Sequence, residues 1–157
     1  SVEALAKLLH DAELSHMARH ALQTNNAPEA VKALVGAMDK APKKIKIGII
    51  SSLGARGTGV PIAPLAKALA DKDAEISTAG ALALGAIGSE EAVKALAAAK
   101  ATDANKIAVC DAMFQCAENM LNHGKKSEAK AIYSTVLKIG PTKAAKMAAD
   151  IGVKACA

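Results

Sequence analysis

Aromatic side chains are almost absent from this sequence, which has no Trp, one Phe and one Tyr among its 157 residues. Proteins that bind single-stranded nucleic acid stack its bases on aromatic rings. Phe114 and Tyr133 alone provide poorly for that mode of binding. Apolar residues nevertheless make up 52% of the chain, and Ala accounts for roughly a quarter of it, well above ordinary usage. Because Ala and Leu are strong helix formers, the composition predicts closely packed helices.

Cysteine is also scarce. Cys110, Cys116 and Cys156 make an odd number, and no two of them form a CxxC pair, which argues against a disulfide framework or a zinc ribbon. Cys110 and Cys116 are six residues apart on a predicted helix, so they do not face each other. We interpret the cysteines as buried small hydrophobic residues.

Long apolar runs and long charged runs are missing as well. No stretch of eighteen apolar residues occurs, so no transmembrane helix is predicted, and there is no signal peptide. The chain begins at Ser1 rather than Met, which is typical of a processed or trimmed piece. The compartment, bacterial cytoplasm or export, therefore stays open. The net charge of +5 comes without any block of five or six like charges.

A period of 31 residues runs through most of the chain. The phrase EAVKAL stands at 29–34 and again two periods later at 91–96. Three ladders share this period: Leu34, Leu65 and Leu96; Leu22, Leu53 and Leu84; Leu14, Ile45, Ile76 and Ile107. A fixed period of this size indicates a solenoid of stacked supersecondary units.

Each unit is predicted to contain two helices separated by Gly, Pro and Asn turns. First helices are predicted at 29–40 and 89–100, and second helices at 12–24, 43–55, 73–87 and 104–122. The period fades after the fourth unit, where a hairpin is predicted over 126–139 and 142–155. Its stretch SEAKAIYSTVLK is similar to a tetratricopeptide-type helix. A divergent last unit is expected where an array is capped.

The stretch DAEISTAGALALGAIGSEEAVKALAAA resembles the short HEAT-like repeat that also occurs in phycobilisome bilin lyases. This resemblance covers roughly residues 1–122, with 123–157 as a divergent capping hairpin of the same domain. The stretches DAELSHMARHAL and GKKSEAKAIY further resemble uncharacterised bacterial HEAT-repeat proteins, which are often exported and fused to other domains. The resemblance implies an all-α, right-handed α-solenoid of about five antiparallel helix pairs. It also implies a protein or peptide partner, or other domains of a longer chain, and no known chemistry.

The stretch IKIGIISSLGARGTG at 45–59 has the look of a strand that enters a phosphate-binding loop. Its glycines run G-x-x-G-x-G, the wrong order for a dinucleotide loop, and the Gly-Lys-Ser/Thr of a P-loop is absent. Ile45 and Leu53 lie instead on the 31-residue ladders. We therefore interpret the stretch as the second helix of the second unit, followed by a glycine turn.

The stretch HMARH places His16 and His20 one helical turn apart, a spacing that suits a metal ion. A metalloprotease would carry Glu where this chain has Met17, and the His-Glu pairs of HEAT-like deoxyhypusine hydroxylases are absent. A zinc site would need further ligands. Because both histidines lie opposite the apolar stripe of their helix, we interpret them as surface residues and predict neither a metal nor a cofactor.

The outward positions of the second helices form the candidate site. Counting by 31 from His16, Arg19 and His20, we predict that the middle second helices present an apolar ladder: Ile47, Ile50 and Ser51; Thr78, Ala81 and Leu82; Val109, Ala112 and Met113. In a HEAT solenoid the second helices line the concave face, and exposed apolar grooves usually mark partner sites. We predict a non-catalytic protein-interaction module, unless tight curling or a missing segment covers the ladder.

Two other functions remain as alternatives. The first, an enzyme accessory of the bilin-lyase kind, is motivated only by the repeat resemblance, and fold does not imply function. The second is weak nucleic-acid binding, with a steep salt dependence, through the basic cluster Lys40, Lys43, Lys44, Lys46 and Arg56. The low aromatic content argues against this second alternative.

Overall fold

The computed structural model describes all 157 residues, which form ten α-helices and no strand. The predicted helix pairs are present, and the stretch at 45–59 is helix followed by a turn. The helices are α1 Val2–Leu8, α2 Ser15–Thr24, α3 Pro28–Met38, α4 Lys43–Arg56, α5 Ile62–Leu69, α6 Ala74–Ile87, α7 Glu90–Ala98, α8 Lys106–Asn122, α9 Lys126–Ile139 and α10 Lys143–Ala155. None is long and apolar enough to cross a membrane.

Local chemistry fixes several helix ends. The side chains of Asp73, Ser89 and Thr142 accept hydrogen bonds from backbone N–H groups in the first turns of α6, α7 and α10. These groups would otherwise lack a partner, so such residues favour a helix start. Gly88 and Gly140 close α6 and α9 in the left-handed conformation, which glycine adopts without steric cost.

The helices stack in two rows, as in an α-solenoid. The second helices pack in order, α2 on α4, α4 on α6 and α6 on α8, while α1 contacts α3 and α5 contacts α7. The last hairpin is different, because α9 packs on α8 and α10 packs mainly on α9. The row of second helices is therefore regular from α2 to α8.

Glycines allow the backbones to approach closely. A Cβ atom on Gly54 of α4 would lie 2.7 Å from the Cα of Ala83 on α6, and one on Gly85 would lie 2.8 Å from the Cα of Ala112 on α8. Both distances are shorter than packed carbon atoms allow. The contacts therefore define how each second helix is placed against the next.

A buried polar chain ties α5, α6 and the start of α8 together. The amide of Asn105 donates to the Ser77 hydroxyl (2.7 Å), and that hydroxyl donates to the Leu69 carbonyl (2.6 Å). The Asn105 side-chain oxygen accepts from the Thr102 N–H group (2.8 Å). Asn105 and Ser77 are only 4% and 3% exposed. Such buried groups are costly to leave without partners.

Replacing Asn105 should therefore weaken the array. We expect Asn105→Ala to lower the free energy of unfolding by about 1–3 kcal/mol, because two hydrogen bonds are lost in a buried place. Urea denaturation followed by circular dichroism measures the change. Asn122→Ala on the exposed end of α8 is the control and should change stability by less than about 0.5 kcal/mol. Equal stability of the two variants would contradict this role of Asn105.

Candidate functional site

One column of side chains on each second helix faces solvent, with one helical turn between successive residues. Most of these residues are exposed, and Ile47 and Thr78 are half-buried. We call this column the outer stripe. It consists of His16 and His20 on α2; Lys44, Ile47, Ser51 and Ala55 on α4; Glu75, Thr78, Leu82 and Ala86 on α6; and Ile107, Asp111 and Gln115 on α8.

Six of the residues predicted for the site lie on the outer stripe. These residues are His16, His20, Ile47, Ser51, Thr78 and Leu82. They keep the 31-residue step from α2 to α6, which is why counting by the period located them. Their part in binding stays a prediction.

The prediction that Ile50 and Ala81 face outward is wrong, because both are fully buried. Each precedes an outer-stripe residue by one position, and one residue turns an α-helix by about 100°. That turn aims the side chain into the packed interior instead of toward solvent. Arg19, the equivalent residue of α2, is half-buried and donates to the Ser52 hydroxyl of α4 (2.6 Å). It therefore bridges two helices and is not free on the surface.

The prediction for α8 is wrong for a different reason. Val109, Ala112 and Met113 are at most 1% exposed, because the helix has slipped by two residues relative to the period. Gly54 and Gly85 are 31 residues apart, yet the alanines that they contact, Ala83 and Ala112, are only 29 apart. The outer stripe therefore continues through Ile107, Asp111 and Gln115. The polar residues Asp111, Gln115 and Glu118 at helical spacing were the sequence signal for this face.

A groove of about 550 Å³ lies between α4 and α6. We call it the α4–α6 groove. The small residues Gly54, Ala79 and Ala83 are among its lining, and Leu82 is 49% exposed. The outer-stripe residues that line it are Ile47, Ser51 and Ala55 from α4 and Glu75, Thr78, Leu82 and Ala86 from α6.

Few polar groups in the groove are free to react. The Ser51 hydroxyl donates to the Ile47 carbonyl of its own helix (3.0 Å). Glu75, the one ionisable side chain of the lining, contacts the Lys43 ammonium group at 2.5 Å. The groove is therefore a mainly apolar surface whose one charge is already paired.

Lys43 links the second and third units. Its ammonium group lies 2.7 Å from the Asp73 carboxylate as well as 2.5 Å from that of Glu75. Hydrogen bonding to Asp73 and then Glu75 raises the pKa of Lys43, and the Lys43 hydrogen bond lowers the pKa of Asp73. Lysine stays protonated and aspartate ionised throughout the neutral range.

Much of the basic cluster considered for nucleic acid is engaged within the protein. Besides Lys43, Lys46 lies 3.8 Å from the Asp71 carboxylate. Arg56 donates to the carbonyl groups at the end of α2, namely those of Leu22 and Gln23 at 3.2 Å and that of Asn25. These contacts leave few of the cluster's cations for phosphate groups, so the cluster favours a structural role.

The three cysteines are free and buried. Burial raises the pKa of Cys110 and Cys116 to about 11, so both thiols are protonated at neutral pH and are poor nucleophiles. His16 and His20 are exposed on α2. No group of three or more His, Cys, Asp or Glu side chains is arranged to hold a metal ion.

Comparison with known proteins agrees with this architecture. A family model described as HEAT repeats matches residues 31–112, just over half of the chain, from α3 to the middle of α8. No curated protein matches the chain. With its stacked helix pairs and this match, the chain belongs to the HEAT-repeat family.

Proposed function

We propose that this chain is a non-catalytic protein-interaction module and that its partner binds in the α4–α6 groove. HEAT repeats generally mediate contacts between proteins. The observation that carries the proposal is the half-exposed Leu82 in the middle of an apolar groove on the second-helix face. Large apolar side chains in a concave surface are typical of partner sites.

The chemistry of the groove supports binding over catalysis. Its only ionisable side chain, Glu75, is held by Lys43, so no free acid, base or nucleophile lines it. Fully burying a Leu or Ile side chain contributes about 1.5–3 kcal/mol. The exposed parts of Leu82 and Ile47 therefore offer binding energy to a partner that covers them.

The lining favours a helical partner over an extended one. An extended segment brings backbone N–H and C=O groups that need partners, and the groove offers little beyond the hydroxyl groups of Ser51 and Thr78. A helix satisfies its own backbone and presents only side chains. We therefore propose an amphipathic helix with an apolar stripe as the occupant.

The proposal is tested by selecting peptides from a random library against the intact protein and measuring their affinity for variants. We expect Leu82→Asp to weaken the selected peptides at least tenfold, because a carboxylate would be buried against their apolar residues. Fluorescence anisotropy gives the affinities. Met17→Asp is the control, because Met17 is also exposed (70%) but lies on α2, outside the groove.

Two results would count against the proposal. Selected peptides could bind wild type and Leu82→Asp equally well, which would place the binding surface elsewhere. Alternatively, repeated selection against the intact protein could yield no peptide that binds the groove. Circular dichroism of both Asp variants shows that any loss of binding does not come from unfolding.

A further inference from the structure

Helix α10 carries a second apolar surface that nothing in the chain covers. Met147 and Ile151 lie one turn apart on it and are 59% and 65% exposed. The opposite side of α10 packs on α9, where the ring of Tyr133 lies directly over Gly152. The exposed alanines of α10 extend the apolar stripe; they are Ala144, Ala148 and Ala155.

Cations follow one edge of this stripe. At about 100° per residue, Lys143 and Lys154 fall on the edge away from α9, whereas the Lys146 side chain lies against Gly140 at the end of α9. Lys154 pairs with Asp150 at 2.5 Å, and Lys143 has no carboxylate within ion-pair distance. Helix α10 therefore presents an apolar stripe with a basic edge.

The α4–α6 groove has the opposite charge along one edge. Asp111 and Glu118 of α8 are exposed and form no ion pair. The contact between Gly85 and Ala112 puts Asp111 level with Leu84, two residues beyond Leu82. Ala86 belongs both to the groove and to an adjoining polar patch that contains Glu118. The groove is thus apolar, with the acidic residues of α8 along one edge and Lys44 of α4 at the other.

The dimensions of the two surfaces agree. At 1.5 Å per residue, the stretch from Ala144 to Ile151 is about 10 Å long, and the groove wall from Ile47 to Ala55 is about 12 Å long. Lys143 and Lys154 lie on a single edge of one surface, and the unpaired carboxylates of Asp111 and Glu118 lie on a single edge of the other. A one-sided match of this kind fixes the orientation in which the two surfaces meet.

We propose that the α4–α6 groove binds helix α10 of a second copy of this chain. Met147 and Ile151 enter the groove beside Leu82, while Lys143 on the basic edge faces Asp111 and Glu118. This inference rests on the proposed function of the groove and names its occupant. Because the contact joins two different surfaces, it closes into a ring or extends head to tail.

Mixing two defective variants tests the inference on the intact chain. We expect the wild type to associate as its concentration rises in sedimentation velocity, and Leu82→Asp and Met147→Asp each to stay monomeric. An equimolar mixture should associate again, because one variant keeps an intact α10 and the other an intact groove. The mixture should stop at a heterodimer, since its remaining surfaces are both defective.

Charge variants test the orientation. We expect the double substitution Asp111→Asn and Glu118→Gln to weaken self-association about three- to tenfold, because exposed ion pairs contribute modestly. Ile107→Asn, also exposed on α8, is the control on the same helix and should weaken it less. An unchanged association constant for the double variant would overturn the proposed orientation.

The outcomes separate this inference from the function on which it rests. A wild type that is monomeric up to millimolar concentration, or a mixture that does not associate, overturns the binding of α10. If library peptides then still lose affinity with Leu82→Asp, the groove binds another protein and only the self-association is wrong. If the library peptides bind wild type and Leu82→Asp equally well, the proposed function fails as well.

Discussion

We expect Gly80→Ala to lower the free energy of unfolding by about 1–3 kcal/mol, the usual cost of overfilling a packed interior. The loss should fall toward the upper end of that range. The added Cβ would lie 2.5 Å from the backbone nitrogen of Leu69 and 2.9 Å from its Cα. Backbone atoms cannot rotate out of the way as the end of a side chain does. Helices α5 and α6 would have to move apart, although alanine is the better helix former.

Gly36→Ala is the matched control for this prediction. Gly36 lies inside α3 and is exposed, and a Cβ atom added there would have no neighbouring atom within 4 Å. The same substitution there should raise stability by about 0.5–1 kcal/mol, because alanine loses less backbone entropy in a helix. Urea unfolding of both variants gives the comparison. Equal effects of the two substitutions would mean that α5 and α6 do not pack this closely.

The second large effect concerns two adjacent residues of α4. We expect Ile50→Asp to cost at least about 4 kcal/mol, because it removes a buried side chain and places a carboxylate where solvent has no access. Ser51→Asp, one residue later on the outer stripe, should change stability by less than about 1 kcal/mol. Ile50 is fully buried and Ser51 is exposed.

Thermal and urea unfolding of this pair decide which side of α4 faces solvent. The expected loss in Ile50→Asp is a large part of a small domain's stability, because the free energy of unfolding is only about 5–15 kcal/mol in total. If Ile50→Asp were as stable as Ser51→Asp, the outer stripe would be misplaced by one position. The assigned lining of the groove would then be wrong, and so would the proposals that rest on it.

The fold was predictable because large apolar side chains recur with its 31-residue period. Leu22, Leu53 and Leu84 are all buried and mark equivalent places in successive units. The same ladders showed that the stretch at 45–59 is helical, in spite of its β-branched residues. Stacking between units outweighs weak local helix propensity there.

The exact face of each helix was harder to predict. Helix α4 is apolar on nearly all sides, so hydrophobic periodicity does not separate Ile50 from Ile47. The slip at α8 was hidden because small residues fit several registers, and both Ala83 and Ala112 accept a glycine contact. Ile107 keeps the 31-residue ladder in the sequence but is 55% exposed, so the ladder itself pointed to the wrong register.

We propose the α4–α6 groove as the binding surface of this HEAT-repeat protein. The most direct test is an NMR titration of the isotope-labelled wild-type chain with a peptide selected against it. We expect the largest chemical-shift changes at Ile47, Ser51, Thr78 and Leu82. Largest changes on the first-helix row, at Lys32 of α3 and Val93 of α7, would contradict it.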